Sequence, residues 1–387
     1  MGYAPVPAKI HKETGAADNI LSTAFKSAGE KKLARVGAPA AQIAVCRKGE
    51  LLWSACAGRL RRDSQGGFGD STQNVRREDR FVIASVTKLV VACVALSLAE
   101  RGGLDLDHPV ARWLPDLPNA DRITVRLLLG HRSGLPEYFS DKWVLKKLKD
   151  EPLRSWDRQE LLEAVGRLGS EDEPDQRFDY RNTNYIAIGE ILESATGKSV
   201  GNLVAEHVSW PLGLKTLSFS EESSGGGRLA APYIRRLGRI FDPLERTGGQ
   251  MRTDAIGEVW TDGGIAASAE DLAALTDALF NRELLRQETV EDMTVRSAAS
   301  GSAVGGFLGM LQRIYLGAGE NSYGLGVAIE KRGETRILGH EGMYLGWSAT
   351  TTFDTRSRVT VTVLTNLSNI PVPADRLQRA LHGVLDG

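Results

Sequence analysis

The chain is short of cysteine, of long apolar runs and of net charge. Its 387 residues hold three cysteines, Cys46, Cys56 and Cys93. The number is odd, all three sit in apolar surroundings and none has metal-ligand spacing, which argues against a disulfide framework or a zinc site. They read as small buried hydrophobes in a reducing compartment. The longest nearly apolar run, LVVACVALSLA over 89–99, is too short to cross a bilayer and contains Ser97, so no membrane span is expected. Lys plus Arg is 48 against 49 Asp plus Glu. That balance leaves no basic field for nucleic acid or anionic lipid and points to a small molecule as partner. The first twenty residues hold no apolar signal-peptide core, and a cytoplasmic location is expected. No metal and no cofactor are expected, and nothing in the residues speaks to oligomeric state.

What is present is the balance of a soluble globular protein, 42% apolar and 25% charged. The length suits one large fold or two joined lobes. A helix is expected over 16–36, ended by Gly37, and then a hairpin in AQIAVCRKGELLWSACAGRL whose turn RKGE pairs Cys46 with about residue 51, so that Cys46 and Cys56 do not face each other. A polar loop leads to a helix beginning near Ser85. From about 105 the texture is helical, punctuated by Pro and Gly, with Ser268 capping ASAEDLAALTDALF. The C-terminal part returns to β-branched runs, an antiparallel meander, and a last helix, ADRLQRALHGVL. The expected fold is α/β of the α+β kind: an antiparallel sheet flanked by helices and assembled from both chain ends, over 1–104 and 305–387. An all-helical domain over 105–304 is inserted between them, with the active site at the interface.

Ser85 and Lys88, in FVIASVTKLVVACVALSLAERGG, stand three residues apart on one helix face, as a nucleophile and its base would. The bland alternative is a capped helix start with Lys88 reaching water, and such a pair arises by chance about once in a chain of this length. Two more motifs accompany it. Tyr180-Arg181-Asn182 lies just ahead of a helix and supplies a phenol that passes a proton and an amide that orients a lysine or a carbonyl. His340-Glu341-Gly342 ends an apolar strand, where glycine admits a substrate backbone.

In this order and spacing the three motifs resemble those of the serine β-lactamase and penicillin-binding-protein superfamily, in the branch of class C β-lactamases, family VIII carboxylesterases, D-aminopeptidases and DD-peptidases. The phrases LLLGHRSGLP, NTNYIAIGEILESATG and DGGIAASAEDLA are similar to its helical-domain signatures, and the resemblance runs over roughly 20–385. It implies Ser85 as the acylated nucleophile, Lys88 as its proton acceptor, Tyr180 as a second relay and Asn182 as orienter of Lys88 and substrate. It also implies an oxyanion hole from the amides of Ser85 and Met343. Whether Lys88 or Tyr180 takes the first proton stays open. His340 stands where β-lactamases carry lysine, and Glu341 where a hydroxyl helps grip a substrate carboxylate, so penicillins and D-Ala-D-Ala ends should be repelled. The expected activity is a serine hydrolase acting on a small ester or amide through an acyl-enzyme, first a carboxylesterase. The alternatives are a D-amino-acid amidase or aminopeptidase, a β-lactamase or DD-carboxypeptidase, or a binding or sensor protein that acylates without turnover.

Glu341 and Gly342, with Tyr138, Trp260 and Trp347 from nearby loops, are the candidate substrate-binding residues. Gly197-Lys198-Ser199-Val200-Gly201 matches the nucleophile elbow of α/β-hydrolases, yet it follows a helix rather than a strand, so Ser199 is read as the cap of the next helix. His131, in a turn, is read as a residue that hydrogen-bonds backbone.

Overall fold

A computed structural model describes residues 38–60, 74–151, 156–219, 226–236, 239–241, 260–295 and 322–368, with single helical positions at 23, 24, 27, 374, 378 and 381. Apart from those positions, the expected first and last helices lie outside the described residues, as does most of the polar loop before residue 74.

The main sheet joins the two ends of the chain. The strands β1 (Ala40–Arg47) and β2 (Glu50–Gly58) form the N-terminal hairpin, with Cys46 opposite Leu51 and Cys56 opposite Gln42, as the turn chemistry implied. Short strands β3 (Phe81–Val82), β4 (Ser218–Phe219) and β7 (Ile265–Ala267) make a small separate sheet in the order β3-β7-β4, and β5 (Ile234–Arg236) pairs with β6 (Arg239–Phe241). The C-terminal strands are β8 (Ser322–Tyr323), β9 (Ala328–Arg332), β10 (Thr335–Tyr344), β11 (Trp347–Asp354) and β12 (Val359–Thr365). They return as a meander, and β12 pairs antiparallel with β1 from Ala41 opposite Thr365 to Arg47 opposite Val359. The order across the large sheet is β2-β1-β12-β11-β10-β9-β8.

Both faces of this sheet are covered, so its central strands β11 and β12 are buried at every position. Val359, Val361 and Val363 join Ile43 and Val45 on one face, against Ala374 and Leu381. The other face is lined with threonines that bond among themselves, Thr351 to Thr362 at 2.7 Å and Thr276 to Thr351 at 2.8 Å. The helix Ala269–Phe280 lies there. Ser268 caps it by accepting from the Asp271 amide, and Asp277 binds Thr360 (3.1 Å) and the Gly49 amide (2.6 Å). This helix falls within the 105–304 stretch but packs on the sheet. The three cysteines are free thiols.

Beneath the sheet runs the helix Thr87–Glu100, apolar on nearly every side and buried from Thr87 to Leu98. Helices Arg158–Leu168 and Thr183–Thr196 pack beyond it, the second ended by Gly197 in the left-handed conformation. Ser199 then caps Val200–Val204, accepting from the Asn202 amide. Among the described residues, no helix is long and apolar enough to cross a membrane.

Candidate active site

The chain enters the Ser85 turn under strain. Ile83 has φ −90° and ψ 0°, and Ala84 has φ +47°, a left-handed conformation unusual for a residue with a Cβ. Ser85 then sits in a 3-10 turn, Ala84–Val86, that feeds directly into Thr87–Glu100. The Thr87 hydroxyl accepts from the Ile265 amide at 3.1 Å and ties the helix start to β7.

One turn on, Lys88 is wholly buried. Its Nζ lies 3.3 Å from Ser85 Oγ, 2.9 Å from Asn182 Oδ1 and 2.6 Å from the carbonyl oxygen of Asp262. Two of these partners only accept. A neutral amine has two N–H bonds and one lone pair, so the two N–H bonds go to Asn182 and Asp262 and the lone pair is left for the Ser85 hydroxyl proton. Burial lowers the Lys88 pKa to about 8, against the pull of Asp262 and Glu137, which favour the charged form.

The Lys88 Nζ lies 5.2 Å from the Tyr180 ring centroid. Desolvation raises the Tyr180 phenol far above the usual range, only partly offset by the neighbouring Ser85 hydroxyl, so it carries its proton at neutral pH. His340, on β10, donates from Nδ1 to the Glu341 carbonyl at 2.6 Å. A carbonyl can only accept, so Nε2 is unprotonated and accepts from the Tyr323 hydroxyl at 2.9 Å. Burial, then the Lys88 charge, pushes His340 down to about 3. The position is electrically neutral where β-lactamases carry a lysine.

Gly342 brings β10 against the Ser85 turn. A Cβ there would lie 2.3 Å from the Ile83 carbonyl oxygen, 2.8 Å from the Ser85 nitrogen and 3.0 Å from the Ala84 Cβ. Pairing between β9 and β10 stops at Gly339, so among the described residues 340–344 have no strand on that edge. Met343 follows Gly342 there, opposite Ser348 of β11. Glu341 is part-buried, opposite Thr350.

Two buried carboxyls had no assigned role in the sequence. Glu137 accepts from the Asn182 amide at 2.9 Å through Oε2, and Asp262 accepts from the Tyr138 hydroxyl at 3.1 Å through Oδ2. Burial raises each to about 7. Both flank the signature phrases, Glu137 just after LLLGHRSGLP and Asp262 opening DGGIAASAEDLA, so the signal was adjacency to a motif rather than spacing. Tyr138 thus serves Asp262. Trp260 packs against Gly189 under the Arg158 guanidinium, 4.0 Å from its ring, and Trp347 is 2% exposed with its indole N–H on the Ala230 carbonyl at 2.9 Å. Those two indoles lie in the packed interior. Among the described residues, no group of three or more His, Cys, Asp or Glu is placed to hold a metal.

An antiparallel sheet fed from both chain ends, with helices packed beneath it and a Ser–Lys pair at the start of a buried helix, defines the β-lactamase/transpeptidase fold. A family model described as Beta-lactamase matches residues 25–385, and the chain belongs to that family. Esterase EstB of Burkholderia gladioli is 28% identical over 285 residues, 66% of this chain and 69% of that protein. Penicillin-binding protein 4* of Bacillus subtilis is 27% identical over 296 residues, 73% of this chain. The match spans 60% of the length of that second relative. The D-amino acid amidase of Ochrobactrum anthropi SV3, solved with L-phenylalanine amide, superposes with a TM-score of 0.73 at 22% identity, covering 95% of this chain and 99% of that one. At that identity the likeness carries the fold alone.

Proposed function

We propose that the protein is a serine hydrolase that cleaves a small ester or amide through an acyl-enzyme on Ser85, with neutral carboxylic esters as its first substrate class. The observation that carries this reading is the Lys88 amine, held by two pure acceptors so that its lone pair meets Ser85 Oγ. Lys88, with a pKa near 8, takes the Ser85 proton as Oγ attacks the substrate carbonyl. The lowered lysine and the raised phenol shift in opposite senses, which makes Lys88 the first acceptor and Tyr180 the donor to the departing alkoxide or amine. The tetrahedral oxyanion lies by the Ser85 and Met343 amides. Water then cleaves the acyl-enzyme by the reverse relay, releasing acid and freeing Ser85.

A second reading, a D-amino-acid amide as substrate, draws support from the part-buried Glu341 next to a neutral His340, since a ligand ammonium would be favoured beside that carboxyl. The test is a screen of purified protein on p-nitrophenyl butyrate, D-alanine amide and nitrocefin. Ser85→Ala should abolish turnover and fluorophosphonate labelling, while Ser199→Ala leaves both nearly intact. A label mapped to Ser199 would sink the assignment, and a stable adduct without product release would make the protein a binder.

A further inference from the structure

His131 carries two separate costs. Its backbone is left-handed, φ +54°. Its imidazole is fully buried, and Nε2 has no hydrogen-bond partner among the described residues. A buried donor without a partner is unfavourable and calls for a reason.

The ring's protonation follows from its neighbours. The Leu135 amide donates to Ser133 Oγ at 3.1 Å, and that hydroxyl donates to Asn184 Oδ1 at 2.5 Å. The Asn184 amide nitrogen is thereby turned toward His131 Nδ1, 3.0 Å away, and the Arg181 backbone N–H reaches the same Nδ1 at 3.2 Å. With two donors on Nδ1, the ring proton is on Nε2. The His131 carbonyl meanwhile accepts from the Asp179 amide at 2.8 Å. The residues on either side of Tyr180 are therefore both bonded to His131. The Tyr180 ring lies on the imidazole, centroids 4.3 Å apart and 35° from parallel. The loop has other ties, for Arg181 is ion-paired with Asp179 and Glu171, both at 2.5 Å.

We propose that His131 is the positioning residue for Tyr180: it grips the backbone on both sides of that residue and stacks on its ring, aiming the phenol at Ser85. The proposal rests on the reading of Tyr180 as the proton relay. The two costs are then borne for direction, since a proton relay loses rate steeply when its donor is misplaced.

The experiment uses p-nitrophenyl butyrate, with active sites counted by fluorophosphonate labelling. His131→Asn tolerates the left-handed backbone and removes the ring, whereas His131→Phe keeps a ring and removes the acceptor. Each should lower kcat per labelled site by about ten- to a hundredfold with KM within about twofold. Either one combined with Tyr180→Phe should be no slower than Tyr180→Phe alone, because the two act through one proton path. A residue that only supports the fold would reduce the number of labelled sites and leave kcat per site unchanged. Full kcat per site in both variants, or losses that multiply in the double variants, overturns the proposal and leaves the relay intact. Full turnover by Tyr180→Phe itself overturns both. If neither His131 variant folds, nitrogen-15 NMR of the native protein decides: the proton is expected on His131 Nε2, and a proton on Nδ1 refutes the grip.

Discussion

Replacing Gly342 by alanine would place a methyl 2.3 Å from the Ile83 carbonyl oxygen and 2.8 Å from the Ser85 nitrogen. The first distance is roughly 1 Å short of ordinary contact, and the obstructing atoms are backbone, which cannot rotate away. Strand β10 and the Ser85 turn must separate by about that amount. These two elements carry the proposed oxyanion amides and the nucleophile, so the separation opens the site itself. A misplacement of about 1 Å costs on the order of a hundredfold in rate, and overpacking costs about 1 to 3 kcal/mol of stability. Gly342→Ala should therefore lower kcat/KM for p-nitrophenyl butyrate by about two orders of magnitude, slow fluorophosphonate labelling in parallel and lower Tm by several degrees. Gly103→Ala is the control, since a Cβ there meets only ordinary contacts at 3.5 Å or more. Turnover within about threefold of the parent in a folded Gly342→Ala protein would refute the contact as the determinant of site geometry.

Three further outcomes follow from the charges. Because Lys88 must be neutral to accept a proton and has a pKa near 8, kcat/KM for a neutral ester should climb about tenfold between pH 7 and pH 9, and a flat profile would remove Lys88 as the base. Burial raises Glu137 to about 7. The folded state then holds a proton that the unfolded state releases from about pH 4.5 upward, so this group's contribution falls as pH rises toward 7, by on the order of 3 kcal/mol. Glu137→Gln should accordingly gain stability over the parent at pH 8 relative to pH 5 in urea unfolding, and an equal difference at both values would contradict the buried-carboxyl account. Glu341→Thr should raise kcat/KM on carboxylate-bearing nitrocefin relative to neutral esters by roughly tenfold to several hundredfold, and lower it on D-amino-acid amides. Unchanged ratios would mean that the Glu341 charge is not felt in the pocket.

Local chemistry made parts of this molecule readable in advance. The RKGE turn fixed the register of Cys46 on Leu51, and the helix caps at Ser199 and Ser268 follow from side chains that bond their own first turn. Ser85 and Lys88 were readable as a pair because three residues bring two side chains to one helix face. Glu137 and Asp262 were not, because Lys88 meets the Asp262 carbonyl across 174 positions and Asn182 meets Glu137 across 45. No spacing rule reaches across a fold. The indoles of Trp260 and Trp347 went the other way: an aromatic near a motif has the same sequence signature whether it lines a pocket or fills the interior, and Gly189 and Ala230 decided for the interior.

The pairing of β1 with β12 has a consequence for synthesis. Asn366 Oδ1 accepts from the Ala40 amide at 2.6 Å across 326 positions, so β1 emerges from the ribosome long before the strand that completes it. At about 5 to 20 residues per second, the interval is roughly 16 to 65 s. Throughout that time the apolar side of the β1–β2 hairpin and one full edge of hydrogen-bonding groups are uncovered, a template for other nascent chains. The exposure ends only when β12 arrives to pair with β1.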